Sequence, residues 1–152
     1  EIEKLALQFG EAEIGVEQVE QGLTDSAQFE MFSLNDAILA GDRDRSLRIL
    51  NTLLTEGEHP LAMLGALGRE MRQLAHAKEL IELGNNSGAA LTQLGVWDKR
   101  KPIFNHALNR LRPADTRRLI ELMQLCDLAV KGMHREPPAN LLQQLILCAC
   151  PR

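Results

Sequence analysis

The sequence predicts an all-α protein, a compact bundle of helices joined by short connectors. Three observations predict it. Twenty-seven of the 152 residues are Leu and sixteen are Ala, against four Val, five Thr and no Tyr, which is the vocabulary of helices and not of strands. Apolar side chains recur at three- and four-residue spacing over long stretches. Glycines, prolines and aspartates break those stretches at the places where helices stop and start. With 45% apolar and 25% charged residues the chain has enough material for a core, and disorder is excluded as a class. No apolar run approaches the length of about 18 residues that a membrane span requires, and no stretch reads as a secretory leader.

Taken in order, Ile2, Leu5 and Phe9 share a helical face, Gly10 to Gly15 reads as a turn, and Val16, Val19 and Leu23 line one side of a short helix. A piece this small cannot bury a core of its own. Residues 1–24 are therefore expected to be the C-terminal remnant of a preceding domain, and a chain opening on Glu1 reads as a part of a longer protein. Residues 25–32 have no clean period and are expected to be a linker. Residues 33–152 are expected to form the main domain. Ser33 is placed to cap its first helix, with Asp36 as the capping-box acid, and Gly41 to end it. Asp42 then caps a helix over residues 43–56, with Leu47, Leu50 and Leu54 in register, and Gly57 supplies the stop. Pro60 opens a long helix reaching about Leu83, bounded by Gly84. Leu61, Leu64, Leu67, Met71, Leu74 and Ile81 make one stripe on it; Met63, Ala66, Ala77 and Leu80 make a second. Two stripes predict neighbours on more than one side.

Residues 85–90 read as a polar loop, and 91–96 are ambiguous. Asp98 is expected to cap a helix to Arg112, carrying Ile103, Phe104, Ala107, Leu108 and Leu111. Pro113 starts a further helix with Leu119, Leu122, Met123, Cys126, Val130 and Met133 in one stripe. The break at 132–137 leads to a last helix from Pro138 to about Ala149. No repeat at solenoid periods is present.

The formal net charge of −4 hides an asymmetry. Residues 1–36 hold nine acids and only Lys4, whereas seven bases face two acids between Asp98 and Arg118, so an anionic partner is sought in the latter stretch. No phosphate loop, dinucleotide fingerprint, zinc-protease helix or nucleophile elbow occurs. His59, His76, His106 and His134 are scattered, no two of them at i, i+4, and no metal or cofactor is expected. The odd set Cys126, Cys148 and Cys150 reads as reduced, mostly buried packing thiols of a cytoplasmic protein. An enzyme is kept as a competing class only by Cys148, Cys150 and the histidines. Gly65 and Gly68 inside the long helix each cost about 1 kcal/mol relative to Ala, and close helix–helix approach is the expected reason.

Trp97 followed by Asp98, Lys99, Arg100 and Lys101 is the most distinctive cluster. An indole beside a basic triplet can stack on a base while the cations hold phosphates; alternatively, Trp97 anchors a helix start in the core and the triplet is solvated. His134 and Arg135, in the break before the last helix, form a second candidate, against the reading of a plain exposed loop. Arg110, Arg112, Arg117 and Arg118 flank the turn at Pro113 and are available to phosphate or to acidic protein, or simply solvate the surface.

The segments Glu1 to Leu7 (E-I-E-K-L-A-L) and Val16 to Val19 (V-E-Q-V) resemble the end of the lid domain in delta subunits of bacterial DNA polymerase III. Phe29 to Asp42 (F-E-M-F-S-L-N-D-A-I-L-A-G-D), Arg45 to Leu54, Gly68 to Leu74 (G-R-E-M-R-Q-L), Gly95 to Arg100 (G-V-W-D-K-R), Asn105 to Arg112 (N-H-A-L-N-R-L-R) and Cys148 to Pro151 resemble the C-terminal domain of the same family. The resemblance implies a collar domain of the clamp loader, the ATP-driven pentamer that places the sliding clamp on primed DNA. It implies gamma/tau and delta-prime subunits as partners, with the sliding clamp contacted through an N-terminal domain absent from this sequence, and no catalysis in this region. It also implies primed DNA or single-stranded template nearby, with Trp97 at the family's Trp position. The turn holding His134 matches a place where relatives can carry a tyrosine near the duplex end. The DNA-contact candidates are thus Trp97, Lys99, Arg100, Lys101, His134 and Arg135. A helical protein-interaction domain unrelated to replication is the alternative.

Overall fold

Residues 25–151, which a computed structural model describes, form seven α-helices and one 3-10 turn: α1 (Asp25–Ala40), α2 (Arg43–Thr55), α3 (Pro60–Glu82), α4 (Ser87–Gln93), the 3-10 turn (Asp98–Arg100), α5 (Lys101–Arg110), α6 (Pro113–Val130) and α7 (Pro138–Ala149). No strand occurs among the described residues, so the all-α bundle predicted from composition is what forms. The helices and turn expected before residue 25 lie outside the described residues.

Residues 25–32 are not an irregular linker. They are the first half of α1, and Ala27 and Met31 sit in the core at 2% and 4% exposure. Phe29 and Phe32 point outward, so large apolar side chains fall on both faces and erase the period on which the sequence reading relied. Ser33 accordingly caps nothing, and Asp36 is free of the capping role assigned to it.

Elsewhere local chemistry sets the boundaries. Asp42 accepts the amide of Arg45 at 3.1 Å and starts α2. His59 Nδ1 accepts from Leu61 N at 3.0 Å ahead of Pro60, and Asn86 Oδ1 accepts from Ala89 N at 2.7 Å. The Asn86 cap starts α4 inside the stretch expected to be a loop. Asp98 does not cap one helix reaching Arg112: a single 3-10 turn precedes α5, and α5 stops at Arg110. The stop is dictated by Pro113, which forces the residue before it, Arg112, into extended backbone. The Asp115 carboxylate then accepts Arg112 N at 2.9 Å, and its hydrogen bond to the Arg112 guanidinium holds its pKa below the ordinary carboxylate value.

The long helix α3 packs against α1, α4, α5 and α6, which is what its two apolar stripes demand. Leu64, Leu67, Met71 and Leu74 from one stripe and Met63 and Ala77 from the other are buried. The three cysteines are free, as expected. Burial pushes the Cys126 thiol up to about 11 and raises Cys148 and Cys150 as well, so all three are weak nucleophiles.

The close approach expected at the helix glycines does not hold at Gly65, where a Cβ meets nothing within 4 Å. Gly68 is buried, and the first atoms a Cβ there would meet are those of the Arg72 guanidinium, from its own helix, at 3.0 Å. Gly65→Ala is therefore expected to stabilise the fold by about 0.5–1 kcal/mol, seen as a higher urea midpoint at unchanged slope; a lower midpoint would reveal a contact at that surface.

Candidate nucleic-acid interface

Gly95, at φ +82°, turns the chain after α4. Val96 then drops into the core at 7% exposure, its amide held by Leu91 O at 2.9 Å. Alternation puts the next side chain outside, and Trp97 is 73% exposed. It is not a core anchor. Its carbonyl accepts Arg100 N at 2.9 Å and so opens the 3-10 turn.

The basic triplet splits three ways, because consecutive residues on a tight helix point in different directions. Arg100 turns inward. Its Nε and Nη2 grip both carboxylate oxygens of Glu70 at 3.1 and 2.8 Å, and Nη1 reaches Asp36 at 2.6 Å. Burial opposes the charge on this guanidinium, but the bonds to Glu70 and Asp36 win and raise its pKa. Arg100 thus latches the turn to α3 and α1. Lys101 Nζ donates to Thr92 Oγ1 at 2.6 Å and pairs with Asp98 at 2.9 Å. Only Lys99 of the three is exposed and without an ion pair among the described residues.

Trp97 and Arg100 line a surface cleft of about 380 Å³ whose other walls come from α1 and α3. Phe32, 70% exposed, is one of them. Asn35 belongs to it too, buried at 5% exposure. Its Nδ2 donates to Ala66 O at 3.2 Å, while its Oδ1 has no donor among the described residues. Gln73 donates to Leu94 O at 3.1 Å and fixes the end of α4 against the cleft. Arg69 lines it with a guanidinium that has no ion pair among the described residues.

Sequence reasoning missed Phe32, Asn35 and Arg69, which lie on other helices and meet Trp97 only through the fold. One signal was present: the chain has four Phe and one Trp, and a turn of helix spending two of them, Phe29 and Phe32, in an acid-rich segment is unusual usage. His134 and Arg135 are not brought to this cleft. His134 is half-buried, and its Nδ1 accepts Glu136 N at 3.0 Å, stiffening the turn between α6 and α7 beside an exposed Met133. Arg135 is exposed there.

The other arginines of the basic stretch are largely engaged. Arg110 binds backbone carbonyls of α1 and α7, and Arg112 and Arg118 pair with Asp115 and Glu121. Among the described residues no group of three or more His, Cys, Asp or Glu side chains is placed to hold a metal, and no helix is long and apolar enough to cross a membrane. What the cleft offers is the exposed rings of Phe32 and Trp97 with one unpaired cation, Arg69, among its lining residues.

Residues 28–148 match the family described as DNA polymerase III delta subunit, C-terminal domain. The chain is 30% identical over 149 residues to DNA polymerase III subunit delta of Escherichia coli (strain K12), covering 98% of this chain and 43% of that protein. It is 24% identical over 115 residues to the subunit of the same name from Buchnera aphidicola subsp. Acyrthosiphon pisum (strain APS), covering 76% and 34%. With the probable DNA polymerase III subunit delta of Aquifex aeolicus (strain VF5) it shares 26% over 122 residues, 80% and 35% of the two chains. The chain therefore spans less than half the length of these relatives.

Proposed function

The chain belongs to the family of C-terminal domains found in delta subunits of DNA polymerase III, and from that premise we propose that it is a non-catalytic collar domain that holds a clamp loader together. Its partners are the gamma/tau and delta-prime subunits, the assembly is cytoplasmic, and the sliding clamp is loaded on primed DNA by the complex and not by this domain. The observation that carries this reading is the family match over residues 28–148.

Exposed apolar side chains support it. Phe29 (71%), Leu83 (81%), Met133 (69%) and Leu147 (42%) lie on or beside four different helices, a distribution suited to a domain with neighbours on several sides. Within the complex Trp97 touches the single-stranded template, supported by its exposure and by Lys99 beside it. His134 and Arg135 form a separate contact on the connector between α6 and α7, where the imidazole is already committed through Nδ1 and only its face and Nε2 are left.

Mixing the full-length protein with purified gamma/tau and delta-prime subunits is expected to give one co-eluting complex. In that complex Trp97→Ala is expected to weaken primed-template binding by about 1–3 kcal/mol, the loss of one stacked base. Failure to co-elute would favour a helical interaction domain unrelated to replication, and unchanged affinity would remove the DNA contact.

A further inference from the structure

We propose that Arg100, Glu70 and Asp36 are positioning residues: their latch fixes Trp97 where it meets the template, and Arg100 acts through Trp97 without contacting phosphate itself. The inference rests on the proposed template contact at Trp97 and assigns the control of that contact to three residues on three elements.

Trp97 has little of its own to hold it. Its side chain is 73% exposed, and it opens a single 3-10 turn of three residues, a conformation with poor hydrogen-bond geometry. Gly95, two residues earlier, has φ +82° and no neighbour within 4 Å of where a Cβ would stand, so the chain entering the turn is permissive. The anchors on either side of Trp97 are the buried Val96 before it and the bound guanidinium of Arg100 after it. The Arg100 amide donates to Trp97 O at 2.9 Å, so the backbone of Trp97 follows wherever Arg100 is held.

The latch is built to set a position. Nε and Nη2 of Arg100 donate to the two carboxylate oxygens of Glu70 at 3.1 and 2.8 Å, and Nη1 donates to Asp36 at 2.6 Å. A bidentate fork fixes orientation as well as distance. Glu70 belongs to α3 and Asp36 to α1, so the turn is tied to both helices that wall the cleft. Asp36 stands at i+4 to Phe32 on one face of α1, so the same bond ties Trp97 to the stretch of helix that carries the exposed Phe32 ring. The Arg100 and Glu70 side chains are only 29% and 19% exposed, which shields this pair from salt better than a surface pair.

Charge separates positioning from phosphate binding. One guanidinium shared by two carboxylates leaves the latch formally negative, and a negative group beside DNA opposes binding. What the latch contributes is order. A turn that holds the binding geometry only part of the time lowers the apparent affinity by that fraction, and holding it there beforehand removes the cost.

The test uses the full-length protein in its assembled complex, titrated with a fluorescein-labelled single-stranded oligonucleotide of mixed sequence over a series of salt concentrations. Glu70→Gln removes a negative charge, yet it is expected to weaken binding about tenfold, as for a turn correctly placed about one-tenth of the time. A tighter complex is what a purely Coulombic role predicts, and it overturns the proposal. Asp36→Asn, which alters one bond to a more exposed carboxylate, is expected to act in the same direction by less. Arg100→Met is expected to match Glu70→Gln at an unchanged log affinity–log salt slope; a slope flattened by about 0.7 would make Arg100 a phosphate contact and overturn the proposal. Arg100→Lys keeps the charge but not the fork and is expected to recover little, and full recovery overturns it. On a Trp97→Ala background Arg100→Met is expected to weaken binding no further, whereas an additive loss shows Arg100 acting on its own. Each variant is expected to keep wild-type helicity by circular dichroism, and a loss of helicity that tracks the loss of binding overturns positioning in favour of a structural role. If Trp97→Ala binds as tightly as the wild type, the underlying reading falls. If Trp97→Ala weakens binding while Arg100→Met and Glu70→Gln do not, that reading stands and the latch serves the fold alone.

Discussion

Arg110→Met is expected to destabilise the fold by about 3–4 kcal/mol. The guanidinium is the clasp of the bundle: Nη1 donates to Ala149 O at the end of α7 at 2.5 Å, and Nη2 donates to Ile38 O and Leu39 O at the end of α1 at 2.7 and 3.3 Å. These are carbonyls that a helix leaves without partners in its last turn, and a cation there also faces the negative end of two helix dipoles. Methionine keeps the aliphatic stem and removes every donor, so the loss reports the hydrogen bonds rather than a cavity. Burial lowers the pKa of Arg110, a cost the three carbonyls must offset. Arg110→Lys is expected to recover only part of the loss, since one ammonium cannot span two helix ends as the planar fork does. Chemical denaturation of the three proteins reads the series, and a Met variant within about 1 kcal/mol of wild type would mean the carbonyls are adequately served by water.

The same residue shows why the sequence reading stopped where it did. Arg110 was legible as a base in a basic stretch, but not as an internal ligand, because Ile38 is 72 residues away. Its seat depends on Gly41, whose φ of +78° marks the end of α1 and whose missing Cβ would lie 2.6 Å from Arg110 Nε. The glycine was readable as a helix stop; its second duty was not. Helix starts were readable at Asp42, Pro60, Pro113 and Pro138, where a short polar side chain or a proline sets them locally. They were lost at α4, whose Asn86 cap lies in a stretch rich in loop residues, and at α1, where Phe29 and Phe32 face outward and the amphipathic period fails.

The site divides along the same line. Trp97 was legible because it is the single Trp and has bases after it. The triplet read as one cationic group, yet Arg100 finds its carboxylates 30 and 64 residues back in the chain, and no local pattern reports such pairing. Arg69 carried no local mark at all, and Phe32 only its rare residue type. A residue of rare type stands out in one dimension; which of several ordinary charges remains unpaired is decided only after folding.

Phe104→Ala is expected to cost about 3–5 kcal/mol, the range for truncating a fully buried aromatic. Phe104 is 0% exposed, on α5, with Ala107 and Leu108 beside it in the core. That helix packs against α1, α3, α4 and the 3-10 turn, so few side chains can move into the space without drawing on several elements together. Incomplete collapse is what places the value toward the upper part of the range. Phe104→Leu, retaining most of the volume, is expected to cost about 1.5 kcal/mol or less. The measurement belongs in far-ultraviolet circular dichroism: Trp97, the one tryptophan, is already 73% exposed when folded, so its emission changes little on unfolding. The consequence reaches the cleft, because Lys101 begins α5 directly after the Asp98–Arg100 turn. A loosened α5 leaves the Arg100 latch holding the turn from one side only, and oligonucleotide binding by Phe104→Ala is expected to fall at temperatures where helicity is still intact. Loss of both signals at one temperature would mean that the turn is held by the latch to Asp36 and Glu70 alone.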